Sequence, residues 1–342
     1  MTNRTRRFLF VATGILVVGL GTGLVASYMG GLQGLTLIGG NGPAELEYVS
    51  ADARMVAFAN VRDVMDSELR QKLMQHLQPG AAEGADAFEQ ETGINIQTDV
   101  DLVLASATAD SATKEPPLVL VRGRFNATNL ESVARGKGAV VEEYKGKRLI
   151  AHGESGMGLV FVEPNLVAVG TTAALRRAID TKESGNSVTG NAEIMRLVKD
   201  VYDGNAWAVA RVDALTGGQQ LPAELAKQLP PINWFAASGH VNGGIRARIH
   251  AEARDEAAAT DLREVIQGFI SLARLQTGQR AEFADLMNSI QLGGQGTTVS
   301  LGFEVPAEMI DAIGAIHAQR PNQQGGEPNT TPSSELPAPP AL

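Results

Sequence analysis

One uncharged segment, residues 8–29, limits what this chain can fold into more than any other feature. It runs for 22 residues without an acidic or basic side chain and follows Arg4, Arg6 and Arg7. At about 1.5 Å of rise per residue, a helix of this length covers roughly 33 Å, which is enough to cross a hydrocarbon core of about 30 Å. We therefore predict a transmembrane helix over residues 8–29, preceded by a cytoplasmic N-terminus, residues 1–7.

The charges on either side of this segment predict the orientation of the protein. Every basic residue of the first 44 precedes the segment, and the nearest acidic residue after it is Glu45. Positively charged flanks stay in the cytoplasm during insertion. The rest of the chain is therefore expected on the periplasmic, or extracytoplasmic, side of a cytoplasmic (inner) membrane, held by one span.

Two alternatives to a retained anchor stay open. Val25, Ala26 and Ser27 place small residues where a signal peptidase would cleave, although the apolar part of a secretory signal is usually only about 7–15 residues long. Residues 5–10 (TRRFLF) also resemble a twin-arginine export signal, which would carry a folded domain across the membrane. The sequence does not decide whether the segment is cleaved.

Small residues recur along one face of the predicted transmembrane helix. Gly19, Gly23 and Ser27 are spaced four residues apart, a pattern that lets a second helix approach closely. We predict that they pack the anchor against another transmembrane helix, which would make the protein a homodimer. The alternative is that glycine is simply common in such helices.

Composition excludes several classes of function. Three of the 29 basic residues precede the predicted span, so the remainder carries a net charge of −12 against −9 for the whole chain. An acidic domain repels phosphate backbones, and we expect no nucleic-acid partner. The chain contains no cysteine, which excludes disulfides, thiolate metal sites, a cysteine nucleophile and a lipidated cysteine. An extracytoplasmic domain without disulfides fits a bacterial origin best.

The pattern of apolar residues predicts an α+β fold that repeats itself once. Residues 206–210 (AWAVA) parallel residues 56–59, and a strand over 245–254 with a helix over 261–274 parallels the pair at 118–125 and 126–134. We predict two diverged halves, each a mostly antiparallel sheet with covering helices. The predicted boundaries are a juxtamembrane linker at 30–44, the halves at 45–204 and 205–319, and a disordered tail at 320–342 that holds six of the 15 prolines.

Sequences that resemble catalytic or metal-binding motifs are incomplete. The stretch 153–158 (GESGMG) has Met157 where a nucleophile elbow needs glycine, and we expect a hairpin turn there. The five histidines show no ligand spacing, and Asp99 with Asp101 lacks the further oxygen ligands of a calcium loop. We therefore predict no catalytic, cofactor-binding or metal site, and no enzymatic activity.

One charged stripe is the strongest candidate for a partner-binding face. Arg246, Arg248, His250, Glu252 and Arg254 alternate with apolar residues, so a strand would point them all to one side of a sheet. In an acidic domain such a basic stripe would suit an acidic partner, although a solvated sheet face is the alternative. Trp234, in the segment 230–235 (PPINWF), is a second candidate anchor for a partner, unless the strand that follows the two prolines buries it.

A resemblance supports the same location and architecture. Residues 88–95 (FEQETGIN), followed by Asp99 and Asp101 and preceded by residues 48–57 (YVSADARMVA), resemble a group of uncharacterised bacterial exported or membrane-anchored proteins. The resemblance covers residues 45–185 and implies an N-terminal membrane segment with an ectodomain of unknown function. It implies no chemistry.

These features together predict a non-catalytic binding or scaffold protein, an accessory subunit of a bacterial envelope complex. Its partners would be the membrane, through residues 8–29, and a protein in the envelope. Two alternatives remain: an extracytoplasmic hydrolase whose site forms only in three dimensions, and a lipid or small-ligand carrier. Convergent carboxylates or a Ser–His pair in a deep pocket would favour the hydrolase, and a large apolar cavity would favour the carrier.

Overall fold

The computed structural model describes residues 42–67, 88–108, 116–153, 156–212, 230–241, 244–277 and 284–306. The predicted anchor with Gly19, Gly23 and Ser27, most of the predicted linker and the predicted tail lie outside these ranges. Within them, no helix combines the length and the apolar character that crossing a membrane requires.

In the described ranges, twelve strands form one antiparallel sheet in the order β11-β12-β10-β9-β8-β1-β2-β3-β7-β6-β5-β4. The predicted α+β class is confirmed. The sheet is continuous, however, instead of being divided into one sheet per half, because β1 pairs directly with β8. The strands are β1 (Met55–Asn60), β2 (Val100–Ala107), β3 (Leu118–Gly123), β4 (Ala139–Tyr144), β5 (Lys147–His152), β6 (Met157–Glu163), β7 (Leu166–Thr171), β8 (Ala206–Arg211), β9 (Ile232–Val241), β10 (Ile245–Ala253), β11 (Gln291–Gly293) and β12 (Thr298–Val305).

Helices cover both faces of this sheet, and several begin at an asparagine cap. The side chains of Asn60, Asn126 and Asn191 accept hydrogen bonds from backbone N–H groups in the first turns of the helices that follow them. The helices are α1 (Val61–Met65), α2 (Ile96–Asp99), α3 (Ala127–Gly136), α4 (Thr172–Ser184), α5 (Ala192–Val201), α6 (Glu256–Thr277) and α7 (Ala284–Ser289), with 3₁₀ turns at Ala44–Tyr48 and Val188–Gly190 and a further helical segment at 88–92.

The largest core lies on the side of the sheet that α4 and α5 cover, called here the α5 face. Phe58 of β1 stacks on Trp207 of β8 with ring centroids 5.5 Å apart, and Trp207 is 1% exposed. Ile194 and Val198 of α5 are buried in the same cluster. The pair Phe58–Trp207 therefore joins the first strand of the chain to β8 beneath a shared helical layer.

A second, smaller core lies on the opposite side, called here the α6 face. Ala259 and Leu262 of α6 pack against Ala251 and Ala253 of β10 and Val299 of β12. Because neighbouring side chains of a strand alternate between the two sides, the polar residues of β10 must lie on the α5 face. The strand thus separates an apolar, helix-covered side from a charged side.

Candidate interaction surface

The charged stripe of β10 follows the alternation that the sequence predicts. Ile245, Ala251 and Ala253 are buried, whereas Arg246 and Arg248 are exposed. In the antiparallel ladder, Arg246 lies between His240 of β9 and Glu304 of β12, and Arg248 lies between Ser238 and Gly302. The side chains of Arg246 and Arg248, with those of His240, Ser238 and Glu304, point to the α5 face.

The side chains of the two arginines are largely exposed to solvent. The Nε atom of Arg246 donates to Glu304 Oε1 at 2.5 Å, and both side chains are more than half exposed. The Nη1 atom of Arg248 lies 3.9 Å from Asp203 Oδ2, at the limit of an ion pair, and the Arg248 side chain is 49% exposed. Exposed pairs of this kind contribute little stability, so a partner could replace them at low cost.

The other end of the stripe is covered, which corrects the prediction of an open face. The Arg196 side chain of α5 donates to Glu252 Oε2 at 2.6 Å. His250 is half-buried, its Nε2 atom is buried without a hydrogen-bond partner among the described residues, and burial together with Arg248 lowers its pKa although Asp200 and Asp203 oppose the shift. His250 is therefore neutral near pH 7 and cannot add charge to the surface.

Arg254 does not belong to the same surface. It follows the last residue of β10, and its Nε atom donates to Asp255 Oδ2 at 3.1 Å. The other carboxylate oxygen of Asp255 accepts from the backbone N–H of Ala258 at 2.8 Å. Arg254 thus pairs with the residue that caps the first turn of α6, and the five-residue stripe reduces to Arg246 and Arg248.

Trp234 is not a partner anchor in this structure. Its side chain is 3% exposed, and its indole N–H donates to Glu193 Oε1 of α5 at 2.6 Å. The Arg211 guanidinium lies over the ring at 5.6 Å from the centroid. The strand that follows the two prolines buries the aromatic side chain, as the alternative interpretation of the sequence states.

The strand β3, which the sequence analysis predicts to correspond to β10, carries no open basic face. Arg122 of β3 donates to Glu45 Oε1 and, at 2.9 Å, to Glu163 Oε2, and Glu45 is 3% exposed. Arg124 lies beyond the end of β3, with Asp99 and Asp101 each 3.8 Å away. The arginines at 122 and 124 therefore hold the fold together, in contrast to those of β10.

An exposed apolar patch lies on α6 and was not predicted from the sequence. Phe269, Leu272 and Leu275 are 54%, 50% and 80% exposed. The core positions of the same helix, Leu262, Ile266 and Ile270, recur every four residues, whereas the exposed row recurs every three. A helical projection that separates the two rows could have found the patch.

The described residues contain little that favours a catalytic or carrier function. No group of three or more His, Asp or Glu side chains in the described ranges could hold a metal ion. An open cavity of about 350 Å³ beside α5 has Arg196 and Lys199 as its charged lining, and a narrower one of about 30 Å³ lies near Arg177. The hydrolase and carrier alternatives stay predictions.

Comparison with known proteins leaves the function open. No family model matches the chain, and no curated protein matches it. Among solved structures, crystal form III of TP0453 matches with a TM-score of 0.45 and 10% identity, covering 79% of this chain and 97% of that chain. Crystal form I matches with a TM-score of 0.43 and 11% identity, covering 80% and 97%. At these scores the likeness carries no conclusion about function, and the resemblance to exported bacterial proteins stays a prediction.

Proposed function

We propose that this chain is a non-catalytic binding protein of the bacterial envelope, held in the inner membrane by residues 8–29. Its extracytoplasmic domain contacts an acidic protein partner through the surface around Arg246 and Arg248. In this role the protein is an accessory subunit of a membrane complex.

The observation that carries this proposal is the exposure of two arginines side by side on one strand of an acidic domain. Arg246 and Arg248 lie two residues apart on the α5 face, and the cross-strand neighbours His240 and Ser238 are only partly buried. A planar guanidinium suits bidentate contact with a carboxylate. The exposed acidic partners of these arginines, Glu304 and Asp203, already occupy the position that a carboxylate of another protein would take.

We also propose that the domain consists of two diverged halves, residues 45–204 and 205–319. The support is the strand order, in which β1-β2-β3-β7 runs outward from the centre on one side and β8-β9-β10-β12 on the other. The central pair, β1 and β8, is antiparallel. The strand β10 then corresponds to β3. The exposed pair of arginines, Arg246 and Arg248, is a difference between the two halves that arose as they diverged.

The test is co-purification from washed membranes. Full-length protein with an affinity tag is expressed in a bacterial host, the membranes are washed with carbonate, and the protein is extracted in mild detergent. We expect the intact anchor by mass spectrometry of the N-terminus, and partners that Arg246→Gln with Arg248→Gln loses. Because the contact is ionic, the partners should also be lost at high salt.

The control is Arg254→Gln, which removes a charge of the same sign at the opposite end of β10. Arg254 is as exposed as Arg246 but pairs with the cap of α6. The variant should keep the partners of the wild type. Equal loss in both variants would contradict a specific surface, and a soluble chain cleaved near residue 28 would contradict the anchor.

A further inference from the structure

The two edges of the sheet differ in how far they are open to another strand. At one edge, β11 has only three residues, Gln291–Gly293, and a strand this short offers little for pairing. At the other edge, β4 has six residues, Ala139–Tyr144, and among the described residues it pairs with β5 alone. It contains no proline and no bulge in its register with β5, so nothing in its backbone prevents a further strand from pairing.

The turn between β4 and β5 determines which residues face the open edge. Lys145 and Gly146 have positive φ values of 48° and 71°, as in a two-residue type I′ turn. Tyr144 and Lys147, which flank this turn, are therefore hydrogen-bonded to each other. Along an antiparallel ladder, pairs with and without hydrogen bonds alternate. Three residues of β4 accordingly direct their N–H and C=O groups away from β5, to the open edge: Ala139, Val141 and Glu143.

The side chains of β4 indicate which chemistry suits this edge. Val140 is 66% exposed. Glu143 is exposed and has no ion-pair partner among the described residues, because Arg148, directly opposite it on β5, pairs with Glu131. The edge thus presents one unpaired carboxylate and one exposed apolar side chain beside a row of outward-facing backbone groups.

Two occupants that this chain could itself supply fit the edge poorly. A second copy paired antiparallel about Val141, the register that pairs most of the strand without opposing like charges, would leave Glu142 and Glu143 opposite apolar residues. No cation would then meet either carboxylate, and the two acidic domains would repel each other. The tail, residues 320–342, holds six of the 15 prolines, which lack the N–H group that strand pairing needs. The chemistry of the edge therefore favours a basic segment of another protein.

We propose that the open edge of β4 binds an extended basic segment of a partner protein, which pairs antiparallel as a further strand. A lysine or arginine of the segment lies opposite Glu143, and an apolar residue three positions later lies beside Val140. The backbone groups of the edge supply affinity, and the two side-chain contacts set the register. In the sheet order β4 is nine strands from β10, about 43 Å at the usual strand spacing, so the inference does not rest on the surface around Arg246 and Arg248.

The absence of cysteine from the chain allows a disulfide test of this register. Val140→Cys puts one thiol at the edge, and the probe is the capped peptide Thr-Lys-Thr-Val-Cys-Thr, whose cysteine would lie directly opposite. This would be a pair without hydrogen bonds, with Cα atoms about 4.5 Å apart, which is close enough for a disulfide. In a glutathione redox buffer, the full-length protein in mild detergent should form at least about fivefold more mixed disulfide with the peptide than Gln267→Cys, an exposed position of α6.

Further substitutions in the Val140→Cys protein separate strand pairing from general charge. Val141→Pro removes an N–H group that points away from β5, so circular dichroism should show an intact fold while disulfide formation falls to the level of Gln267→Cys. Glu143→Lys should lower disulfide formation about two- to fivefold, and a peptide with glutamate in place of lysine should reverse that loss. Glu264→Lys, the same change at an exposed position of α6, should have no effect.

Three results would overturn the inference: disulfide formation no higher than with Gln267→Cys, equal formation when the peptide cysteine is moved two positions to lie opposite Glu142, or equal effects of Glu143→Lys and Glu264→Lys. If Val141→Pro does not fold, the charge exchange at Glu143 decides. None of these results affects the proposed function, which fails instead when Arg246→Gln with Arg248→Gln keeps the co-purified partners.

Discussion

Asp63, in the first turn of α1, is a buried carboxyl whose hydrogen bonds are only partly satisfied. It is 6% exposed, one oxygen accepts from the Asn205 side-chain amide at 3.2 Å, and the other has no hydrogen-bond partner. Burial raises the pKa of the Asp63 carboxyl to about 6, and the Asn205 hydrogen bond opposes the shift. Since Asn205 lies directly before β8, this carboxyl joins α1 to the start of the second half.

The raised pKa predicts how stability depends on pH. The folded protein holds the Asp63 proton more tightly than the unfolded chain does. The protonated carboxyl therefore contributes its full stabilisation below about pH 4, and this stabilisation is lost as the pH rises through about 6. The side-chain amide of Asp63→Asn carries no charge at any pH between 4 and 7. We expect the variant to be more stable than the wild type by about 2 kcal/mol at pH 7 and equally stable at pH 4.

Urea denaturation of the full-length protein in detergent, at pH 4 and pH 7, measures the two differences. Asp261→Asn is the control, because it makes the same chemical change at an exposed position of α6. The control should leave stability unchanged at both pH values. An Asp63→Asn variant that is less stable than the wild type at pH 7 would show that the ionised carboxylate contributes to the fold.

At the scale of elements, Arg122 connects the 3₁₀ turn Ala44–Tyr48 to the sheet. Besides Glu45 and Glu163, its guanidinium reaches Asn165 Oδ1 at 2.9 Å, and the Tyr48 hydroxyl donates to Glu163 Oε1 at 3.0 Å. Burial, and then the hydrogen bond to Glu163, raises the pKa of Tyr48, so the hydroxyl stays a donor. The network holds the 3₁₀ turn at the start of the described residues against β3 and β6.

Removing only the cation of this network should lower the free energy of unfolding more than removing the buried pair of Arg122 and Glu45 together. Arg122→Met leaves Glu45 buried without its cation, and we expect a loss of about 3 kcal/mol or more in the free energy of unfolding. Adding Glu45→Met removes the unpaired charge and should recover most of the stability that Arg122→Met loses. Denaturation of both variants and of Glu45→Met alone measures the coupling, and a double variant no better than Arg122→Met would contradict it.

Local patterns in the sequence predict most elements but not their pairing. Alternating apolar residues and turn residues in the sequence mark the strands β4 to β7, and apolar residues at helical spacing mark α4 and α5. The contact between β1 and β8 joins positions about 150 residues apart, and nothing in either segment specifies the other. Alternation within β10 is also a local pattern, and it places Arg246 and Arg248 on one face. The packing of α5 against the sheet is not local, so the sequence does not predict that α5 covers His250 and buries Trp234.

For the whole molecule, the seam between β1 and β8 decides whether the two proposed halves behave as one unit. Phe58 and Trp207 stack across it, and α5 is buried over the same strands. Separating the halves would expose a fully buried tryptophan and an open edge on each strand. We therefore expect the halves to unfold together in a single transition.

Trp207→Ala tests that expectation because it opens a cavity at the seam. We expect a loss of about 3–5 kcal/mol in the free energy of unfolding, and a smaller loss for Trp207→Phe, which keeps an aromatic ring opposite Phe58. In the wild type both tryptophans, Trp207 and Trp234, lie in the proposed second half, so fluorescence reports on that half while circular dichroism reports on the whole domain. Coincident transitions in the wild type would support one cooperative unit. If the two signals separate in the wild type, the halves fold independently, and the continuous sheet is then a docked pair of domains.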